Sequence, residues 1–163
     1  YNGKTIEILN TDAEGRLILA DGLSYATKHY DPKYILDFAT LTGAVVVALG
    51  HVASGIMGTD AELIKNIKAS SVKTGEKVWE FPLWDEFLEQ VKSKIADVKN
   101  VGASGQAGSI AGGAFLKAFV SDDIPWCHFD IAGTAWGDKN LPYLNKGTAT
   151  GEVIRLVVDL IGI

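Results

Sequence analysis

Short apolar runs predict the strands of this chain. In residues 4–9, Ile6 and Ile8 alternate with Thr5 and Glu7, as in a strand whose successive side chains point to opposite faces. A cluster of charged residues follows this run directly. Further strands are predicted from compact apolar runs at residues 34–39, 54–58 and 126–131.

Segments with apolar residues three or four positions apart predict helices between the strands. Residues 17–29 place Leu23 and Ala26 on one stripe, and Thr59 opens a capping-box match that predicts the start of another helix. The closing segment, residues 152–161, is apolar in most directions and is therefore expected to be buried against a sheet or a partner. Other helices are predicted at residues 43–49 and 60–73, after Phe81-Pro82, and from a glycine-rich loop at 100–113 to about residue 120.

The alternation of strands and helices predicts an α/β fold with a largely parallel, mixed sheet flanked by helices. Ligand groups in such folds gather beyond the carboxyl ends of the strands. Asp12, Thr40 and Ala132 each follow a predicted strand, and so three loops are expected to converge at one edge of the sheet. The loop after the last strand is expected to be long, covering residues 132–146.

Composition narrows the classes of function. The 163 residues are 47% hydrophobic and 21% charged, which suits one folded domain with a core. A formal charge of −5 without a basic run argues against nucleic-acid binding. Glycines and His51 interrupt the most apolar window, 41–58, so a buried helix and strand are expected there rather than a membrane span. The lone Cys127 cannot form an intrachain disulfide, which favours a reducing compartment, the cytoplasm.

The charged cluster after the first strand holds the candidate chemistry. Asp12 and Glu14 are two residues apart, so extended backbone would project both carboxylates from one face. A divalent cation between them would relieve their repulsion, because hard cations favour oxygen ligands. Arg16 offers a fixed planar cation that can hold an anion beside such a metal. Its alternative role is an ion pair with Asp21 or Asp37.

Several of these residues also fit structural roles. Thr11 could cap the next helix while Glu14 reaches back to its amide, as in a capping box. The residues alone leave this interpretation and the metal site open. The histidines share no ligand spacing and are expected to be structural, with His128 pointing out of its strand. Cys127 is expected to be a buried small hydrophobe. Residues 102–108 are expected to be a flexible or tightly packed turn, because they lack the lysine and hydroxyl of a phosphate-binding loop.

Residues 10–17, Asn-Thr-Asp-Ala-Glu-Gly-Arg-Leu, resemble the signature octapeptide of the leucyl aminopeptidases, dinuclear-metal exopeptidases also called cytosol aminopeptidases. Eight matching residues of this chemical mix make a specific signal. The resemblance covers nearly the whole chain. Further blocks resemble family segments in order and rough spacing at residues 37–44, 130–136 and 146–151.

The resemblance implies a site with two divalent metal ions, in which Asp12 is a ligand and Glu14 bridges the pair. Zinc or manganese is expected, with magnesium or cobalt as alternatives, because oxygen ligands accept all of them. It also implies that Arg16, with neighbouring backbone amides, holds a bicarbonate-like anion that acts as general base. Small side chains at Ala132 and Ala135 would leave room for a bulky first residue such as leucine. The substrate contacts that the resemblance implies are Asn10, Ala13, Thr40, Leu41, Gly43, Ala132 and Ala135.

The family's other metal ligands, a lysine and two aspartates, and a second catalytic lysine lie upstream of the signature, which begins here at residue 10. We therefore expect residues 1–163 to be the C-terminal portion of a single aminopeptidase catalytic domain. The fold would be an incomplete three-layer metallo-exopeptidase domain, with its upstream part and the N-terminal domain absent. The resemblance implies that the parent protein releases N-terminal residues from peptides with a leucine-type preference and forms a homohexamer. The isolated chain is expected to be inactive.

Two other classes of function stay open at this point. The chain could be a stably folded non-catalytic fragment or assembly module, or it could belong to another hydrolase that binds metal through carboxylates at strand ends. An upstream lysine-and-aspartate segment would favour the aminopeptidase over the module. A requirement for a free α-amine on the substrate would separate the aminopeptidase from other hydrolases.

Overall fold

The computed structural model describes residues 1–137 and 147–163, and it has the α/β architecture expected from the sequence. Within these residues, none of the helices has the length and apolar character needed to cross a membrane. Most of the predicted loop 132–146, and Lys146 of the last sequence block, lie outside the described residues. The strands are β1 (Ile6–Glu7), β2 (Ile35–Ala39), β3 (Ser54–Gly58), β4 (Val78–Glu80), β5 (Val98–Lys99), β6 (Trp126–Asp130), β7 (Trp136–Gly137) and β8 (Thr148–Ala149). The helices are α1 (Gly15–His29), α2 (Gly43–Leu49), α3 (Ala61–Thr74), α4 (Asp85–Glu89), α5 (Gly108–Lys117) and α6 (Ile154–Ile161).

Four strands form the central sheet in the order β2-β6-β3-β4. β2 and β6 are parallel, in a register that pairs Ile35 with Trp126 and Ala39 with Asp130. β3 and β4 are also parallel, whereas β3 runs antiparallel to β6. The sheet is therefore mixed, as predicted. The apolar pattern does not predict β4, because this strand has only three residues and lies at the edge of the sheet.

The first strand does not join the central sheet. Only Ile6–Glu7 of the predicted strand 4–9 pairs in a ladder, in parallel with β5. Oδ2 of Asp97 accepts hydrogen bonds from the backbone amide and the hydroxyl of Thr5, both at 2.7 Å. These bonds hold the pKa of the Asp97 carboxyl below its usual value. The backbone that leads to Asp12 is thus anchored to a separate two-stranded ribbon.

Apolar side chains cover both faces of the central sheet. Trp126 and Cys127, adjacent in β6, belong to different cores because successive strand residues point to opposite faces. The core around Trp126 includes Leu23 of α1 and Phe115 of α5. The core around Cys127 includes Leu156 of α6 and residues of α3. The layers are therefore helices, sheet and helices, held by the burial of apolar surface on each side.

The closing helix is buried on one side. α6 packs on α3 and buries Leu156 completely, whereas Ile154 is 61% exposed and Val158 and Ile161 are exposed as well. Burial against the sheet is therefore confirmed for the side that carries Leu156, and burial of the outward side against a partner stays a prediction. Buried Glu76 fixes the start of the helix by accepting a hydrogen bond from the backbone N–H of Leu156 at 2.8 Å.

α3 is capped by a different residue from the one that the capping-box match predicts. The Asp60 side chain accepts a hydrogen bond from the Leu63 N–H at 2.7 Å and caps the helix. The hydroxyl of Thr59 accepts instead from the backbone N–H of Trp126 at 3.1 Å. Because the Thr59 hydroxyl is hydrogen-bonded to β6, the neighbouring Asp60 caps the helix. Gly75 ends the helix as expected, with a left-handed φ of 75°.

Candidate active site

The segment between β1 and α1 is a tight turn and not an extended strand end. Thr11–Ala13 forms a single 3-10 turn, which the Asn10 side chain caps by accepting a hydrogen bond from the Asp12 amide at 2.9 Å. Among the described residues, none caps the start of α1 with its side chain. Both sequence interpretations are therefore wrong about the backbone. Asp12 and Glu14 do not share a face of extended chain, and Thr11 is not the cap of a capping box.

A buried amide fixes this turn to the rest of the protein. Asn100 accepts a hydrogen bond from the Leu9 N–H at 2.9 Å and donates its Nδ2–H to the Asn10 carbonyl at 2.7 Å. These bonds end the β1 ladder and redirect the chain into the turn. The Asn100 carbonyl accepts from Nη1 of Arg16 at 2.7 Å. Asn100 was not predicted as a site residue, because the two-residue strand β5 before it leaves no pattern in the sequence.

Asp12 and Glu14 are exposed, and neither carboxylate makes a hydrogen bond or ion pair with another described residue. Exposed carboxylates without partners are suitable oxygen donors for a hard divalent cation. Two donors are only part of a ligand set, however. No group of three or more His, Cys, Asp or Glu side chains within residues 1–137 and 147–163 could hold a metal ion. Within the described residues, Asp12 and Glu14 could supply only part of a metal-ligand set, and their role as ligands stays a prediction.

Arg16 lies inside the protein, 8% exposed, in the first turn of α1. Its Nη1 donates to the Asn100 carbonyl, whereas its Nε is buried without a hydrogen-bond partner in the described structure. Burial lowers the pKa of the guanidinium, and the negative charge of Asp130 offsets part of this shift. The side chain keeps its positive charge because its ordinary pKa is far above neutrality. Asp21 and Asp37, the partners considered from the sequence, bind other groups.

Of the three loops expected at one edge of the sheet, two lie together at the ends of the parallel strands β2 and β6. The third, which holds Asp12, follows β1 outside the central sheet. Oδ1 of Asp130, the last residue of β6, accepts hydrogen bonds from the backbone amides of Leu41 at 3.1 Å and Ala132 at 3.2 Å. Gly112 of α5 packs against the same region. A Cβ on Gly112 would lie 3.1 Å from Cδ2 of Leu41 and 3.6 Å from Nη2 of Arg16. Predicted site residues from three separate segments therefore adjoin one another.

A cavity of about 630 Å³ opens beside Arg16. Asn10 and Arg16 line one part of it, and residues 101–111, the glycine-rich loop and the first turn of α5, line much of the rest. A tightly packed turn is present, since the Gln106 N–H donates to the Ala103 carbonyl at 3.2 Å and a Cβ on Gly102 would lie only 2.7 Å from Cβ of Ala111. Ala107 follows with a left-handed φ of 45° immediately before α5. The sequence did not indicate that this turn borders the site, and the density of glycines was the signal available for it.

The other predicted substrate contacts do not all lie at one place in the structure. Thr40 and Gly43 are exposed on either side of Leu41, and Ala13 is half-buried in the 3-10 turn. Ala135 lies in a separate apolar groove that it shares with the first turn of α6, and it does not line the cavity beside Arg16. The role of these residues as substrate contacts stays a prediction.

His128 and Cys127 occupy the interior of β6. The prediction that His128 points out of its strand is wrong, since the side chain is fully buried with Nδ1 2.5 Å from Oδ1 of Asp37. Asp37 also accepts a hydrogen bond from Nε1 of Trp126 at 2.7 Å. Cys127 is buried as expected, and burial raises the pKa of its thiol. The thiol therefore stays protonated and is a poor nucleophile.

Comparison with known proteins decides the family. The sequence profile described as the cytosol aminopeptidase family, catalytic domain, matches residues 1–158. The chain belongs to the cytosol aminopeptidase family. It is 54% identical over 158 residues to a probable cytosol aminopeptidase of Geobacter sp., and 52% identical over 160 residues to one of Cenarchaeum symbiosum. The alignments cover 97% and 96% of this chain but 31% and 32% of those two proteins.

This membership confirms the resemblance inferred from residues 10–17 and from the later sequence blocks. The chain spans about a third of the length of the curated relatives it matches. The α/β layers, with a mixed sheet between helices, agree with a part of the catalytic domain of a cytosol aminopeptidase.

Proposed function

We propose that this chain carries part of the active site of a metal-dependent aminopeptidase that releases N-terminal residues, with a leucine-type preference, from peptides. The supporting observation is the arrangement at the start of α1. Two exposed carboxylates without partners in the described structure precede a buried guanidinium, and this guanidinium borders both the Leu41 loop and a cavity. A cation-binding edge beside a fixed positive charge suits hydrolysis of a peptide bond.

Asp12 and Glu14 are the residues that would hold divalent metal ions, two in a complete site. Zinc or manganese is proposed, with magnesium or cobalt as alternatives. Bound metal ions of this kind activate water and polarise a scissile carbonyl. The chain's own contribution is a pair of solvent-facing carboxylates that can donate oxygen ligands. We propose that the remaining ligands come from the upstream part of the longer family polypeptide.

Arg16 is proposed to bind a bicarbonate-like anion that serves as general base. A guanidinium that stays charged in a buried position interacts more strongly with an anion than one in bulk water, because the surrounding dielectric constant is low. Its Nε, which lacks a partner among the residues described, is a donor still available for that purpose. The backbone at Thr40, Leu41 and Gly43 and the small side chain of Ala132 are proposed to contact the substrate.

A specific observation favours a second candidate, a non-catalytic module of the same family. The described residues close two apolar cores around one sheet without completing a metal-ligand cluster. Such a chain could fold and assemble without turning over a substrate.

For the full-length protein we propose a homohexamer in the cytoplasm that acts on peptides with a free N-terminus. Neither nucleic acid nor a membrane is a proposed partner.

Complementation tests the proposal. The 163-residue chain is mixed or co-expressed with the upstream two thirds of the Geobacter relative, and hydrolysis of leucine anilide is measured with added Mn²⁺ or Zn²⁺ and in a chelator-treated control. We expect no turnover by the chain alone and chelator-sensitive turnover by the complemented enzyme. Glu14→Gln and Asp12→Asn should each lower kcat by about 100-fold or more. Asp31→Asn, at an exposed acid beyond the other end of α1, should leave kcat unchanged.

The outcomes separate the candidates. A complemented enzyme without turnover, under conditions in which the intact Geobacter relative is active, would favour the non-catalytic module. Chelator-sensitive turnover by the chain alone would contradict the partial site. Equal hydrolysis of an N-acetylated leucine anilide would exclude an aminopeptidase, because no free α-amine would then be needed.

A further inference from the structure

Asp130 is a fully buried carboxylate at the end of β6, and it was not among the predicted site residues. Its Oδ1 accepts from the backbone amides of Leu41, Thr42 and Ala132 at 3.1, 3.4 and 3.2 Å. Its Oδ2 accepts from the Thr42 hydroxyl at 2.6 Å. A buried ionised carboxylate needs several donors to offset its desolvation, and here both oxygens are satisfied by the loops around it.

These bonds connect segments that are far apart in the sequence. Leu41 and Thr42 belong to the loop between β2 and α2, whereas Ala132 belongs to the turn after β6. The single hydroxyl hydrogen of Thr42 is donated to Asp130, so the Ser109 hydroxyl donates to Thr42 across a distance of 2.9 Å and ties α5 to the same network. One carboxylate thus holds two strand ends and, through Thr42, the helix that borders the cavity.

Asp130 also acts electrostatically on α1. Its negative charge raises the pKa of the buried Arg16 guanidinium and offsets part of the lowering by burial. Gly112 leaves the space in which Arg16, Leu41 and Thr42 approach one another, since a Cβ there would contact all three side chains. The loop backbone and the guanidinium are consequently arranged around the same buried carboxylate.

We propose that Asp130 is a positioning residue of the aminopeptidase site, which fixes the backbone at Leu41, Thr42 and Ala132 and balances the charge of Arg16. This inference rests on the proposed function. A loop that must present its backbone to a substrate loses rate when its geometry loosens, because a displacement of about 1 Å can cost about 100-fold in rate. The role is distinct from bracing the fold in general, and Asp37 provides the comparison.

Asp37 is a matched control. It is a buried aspartate on β2, the strand paired with β6, and its carboxylate bonds run to Trp126 and His128 instead of the loops. Replacing either aspartate by alanine removes a buried acid and is expected to lower the melting temperature. Only the change at Asp130 is expected to loosen the loops.

The first readout is hydrogen–deuterium exchange of backbone amides in the 163-residue chain, resolved by NMR. Asp130→Ala should speed exchange of the Leu41, Thr42 and Ala132 amides by at least about tenfold relative to amides in β3. Asp130→Asn should preserve their protection, because the amide oxygen still accepts from backbone N–H groups. Asp37→Ala should leave these three amides as protected as in the wild type. Equal exchange in the two alanine variants would overturn the proposal.

The second readout is steady-state kinetics of the complemented enzyme, measured well below the melting temperature. Asp130→Ala should lower kcat by about 100-fold, Asp130→Asn should restore kcat to within about tenfold of the wild type, and Asp37→Ala should leave kcat within about threefold. If Asp130→Ala does not fold, the asparagine variants at both positions decide. Asp130→Asn keeps an acceptor for the loop amides but removes the charge that acts on Arg16, so it should lower kcat by about threefold to tenfold, whereas Asp37→Asn should leave kcat unchanged. A wild-type complemented enzyme without turnover would overturn the proposed function. Turnover with equal losses in the Asp130 and Asp37 variants would overturn the positioning role alone.

Discussion

Arg16 combines a permanent positive charge with a side chain that is almost completely buried. Burial of an ion costs several kcal/mol unless hydrogen bonds and an opposite charge offset it. The Asn100 carbonyl satisfies one N–H group, and Asp130 supplies the opposite charge. The signature around residue 16 indicated the arginine but not these two groups, because Asn100 is 84 positions further along the chain and only the folded topology brings it close.

Coupling between Arg16 and Asp130 can be measured in the chain itself. Arg16→Met should lower the free energy of unfolding by about 2 kcal/mol or more, because it leaves the Asn100 carbonyl without its donor and Asp130 without its countercharge. Asp130→Asn should cost less in the Arg16→Met background than in the wild type, by at least about 0.5 kcal/mol. Urea denaturation of the two single variants and the double variant gives the coupling energy. Strictly additive losses would show that the two charges do not stabilise each other.

At the scale of one element, the residue that caps helix α3 can be tested. The capping-box match at residues 59–62 predicts that Thr59 and Glu62 together cap the helix, whereas the structure assigns the cap to Asp60. Asp60→Ala should therefore lower the free energy of unfolding by about 1 kcal/mol, the usual cost of losing an N-cap. Thermal unfolding followed by circular dichroism measures the change.

Glu62→Ala is the matched control for this prediction. Glu62 is exposed in the first turn of α3 and forms an ion pair with Lys65, which is also exposed. Exposed pairs contribute little to stability, so this variant should unfold close to the wild-type temperature. A larger loss from Glu62→Ala than from Asp60→Ala would support the capping box instead.

The elements that the sequence predicts well are those in which local spacing and the final environment agree. α1 has one apolar stripe and one core to pack against, and β3 was predicted with its observed bounds at Ser54–Gly58. In α6 the apolar residues outnumber those that the protein can cover. Local pattern cannot distinguish a helix buried on all sides from one with an exposed apolar side, because this depends on which elements pack against it.

The residues of the candidate site also differ in whether local sequence could predict them. The signature and the strand ends indicated Arg16, Leu41 and Ala132, which the structure brings together. Asn100 and Asp130 were missed because their importance arises from long-range hydrogen bonds to backbone groups, and no spacing along the chain records such bonds. The separation of Ala135 from the cavity is likewise a result of tertiary packing.

The two apolar cores share one sheet, and this arrangement determines how the whole described chain should unfold. β2 and β6 each contribute side chains to both cores, so disruption of one core removes support from the other through the same backbone ladder. β6 has the largest part in this coupling, because Trp126 enters one core while Cys127 and Phe129 enter the other. Single domains of this size usually unfold in one cooperative step.

Truncation of one large side chain on each face tests this cooperativity. Phe115→Ala and Leu156→Ala, both at fully buried positions, should lower the free energy of unfolding by about 3–5 and about 2–5 kcal/mol respectively. Val72→Ala, at a position 85% exposed on α3, should change it by less than about 0.5 kcal/mol. Both core variants should shift a single urea transition with an unchanged slope, since the same surface is exposed on unfolding. A transition that splits in one core variant, with fluorescence and circular dichroism no longer coincident, would mean that the two faces unfold as separate units.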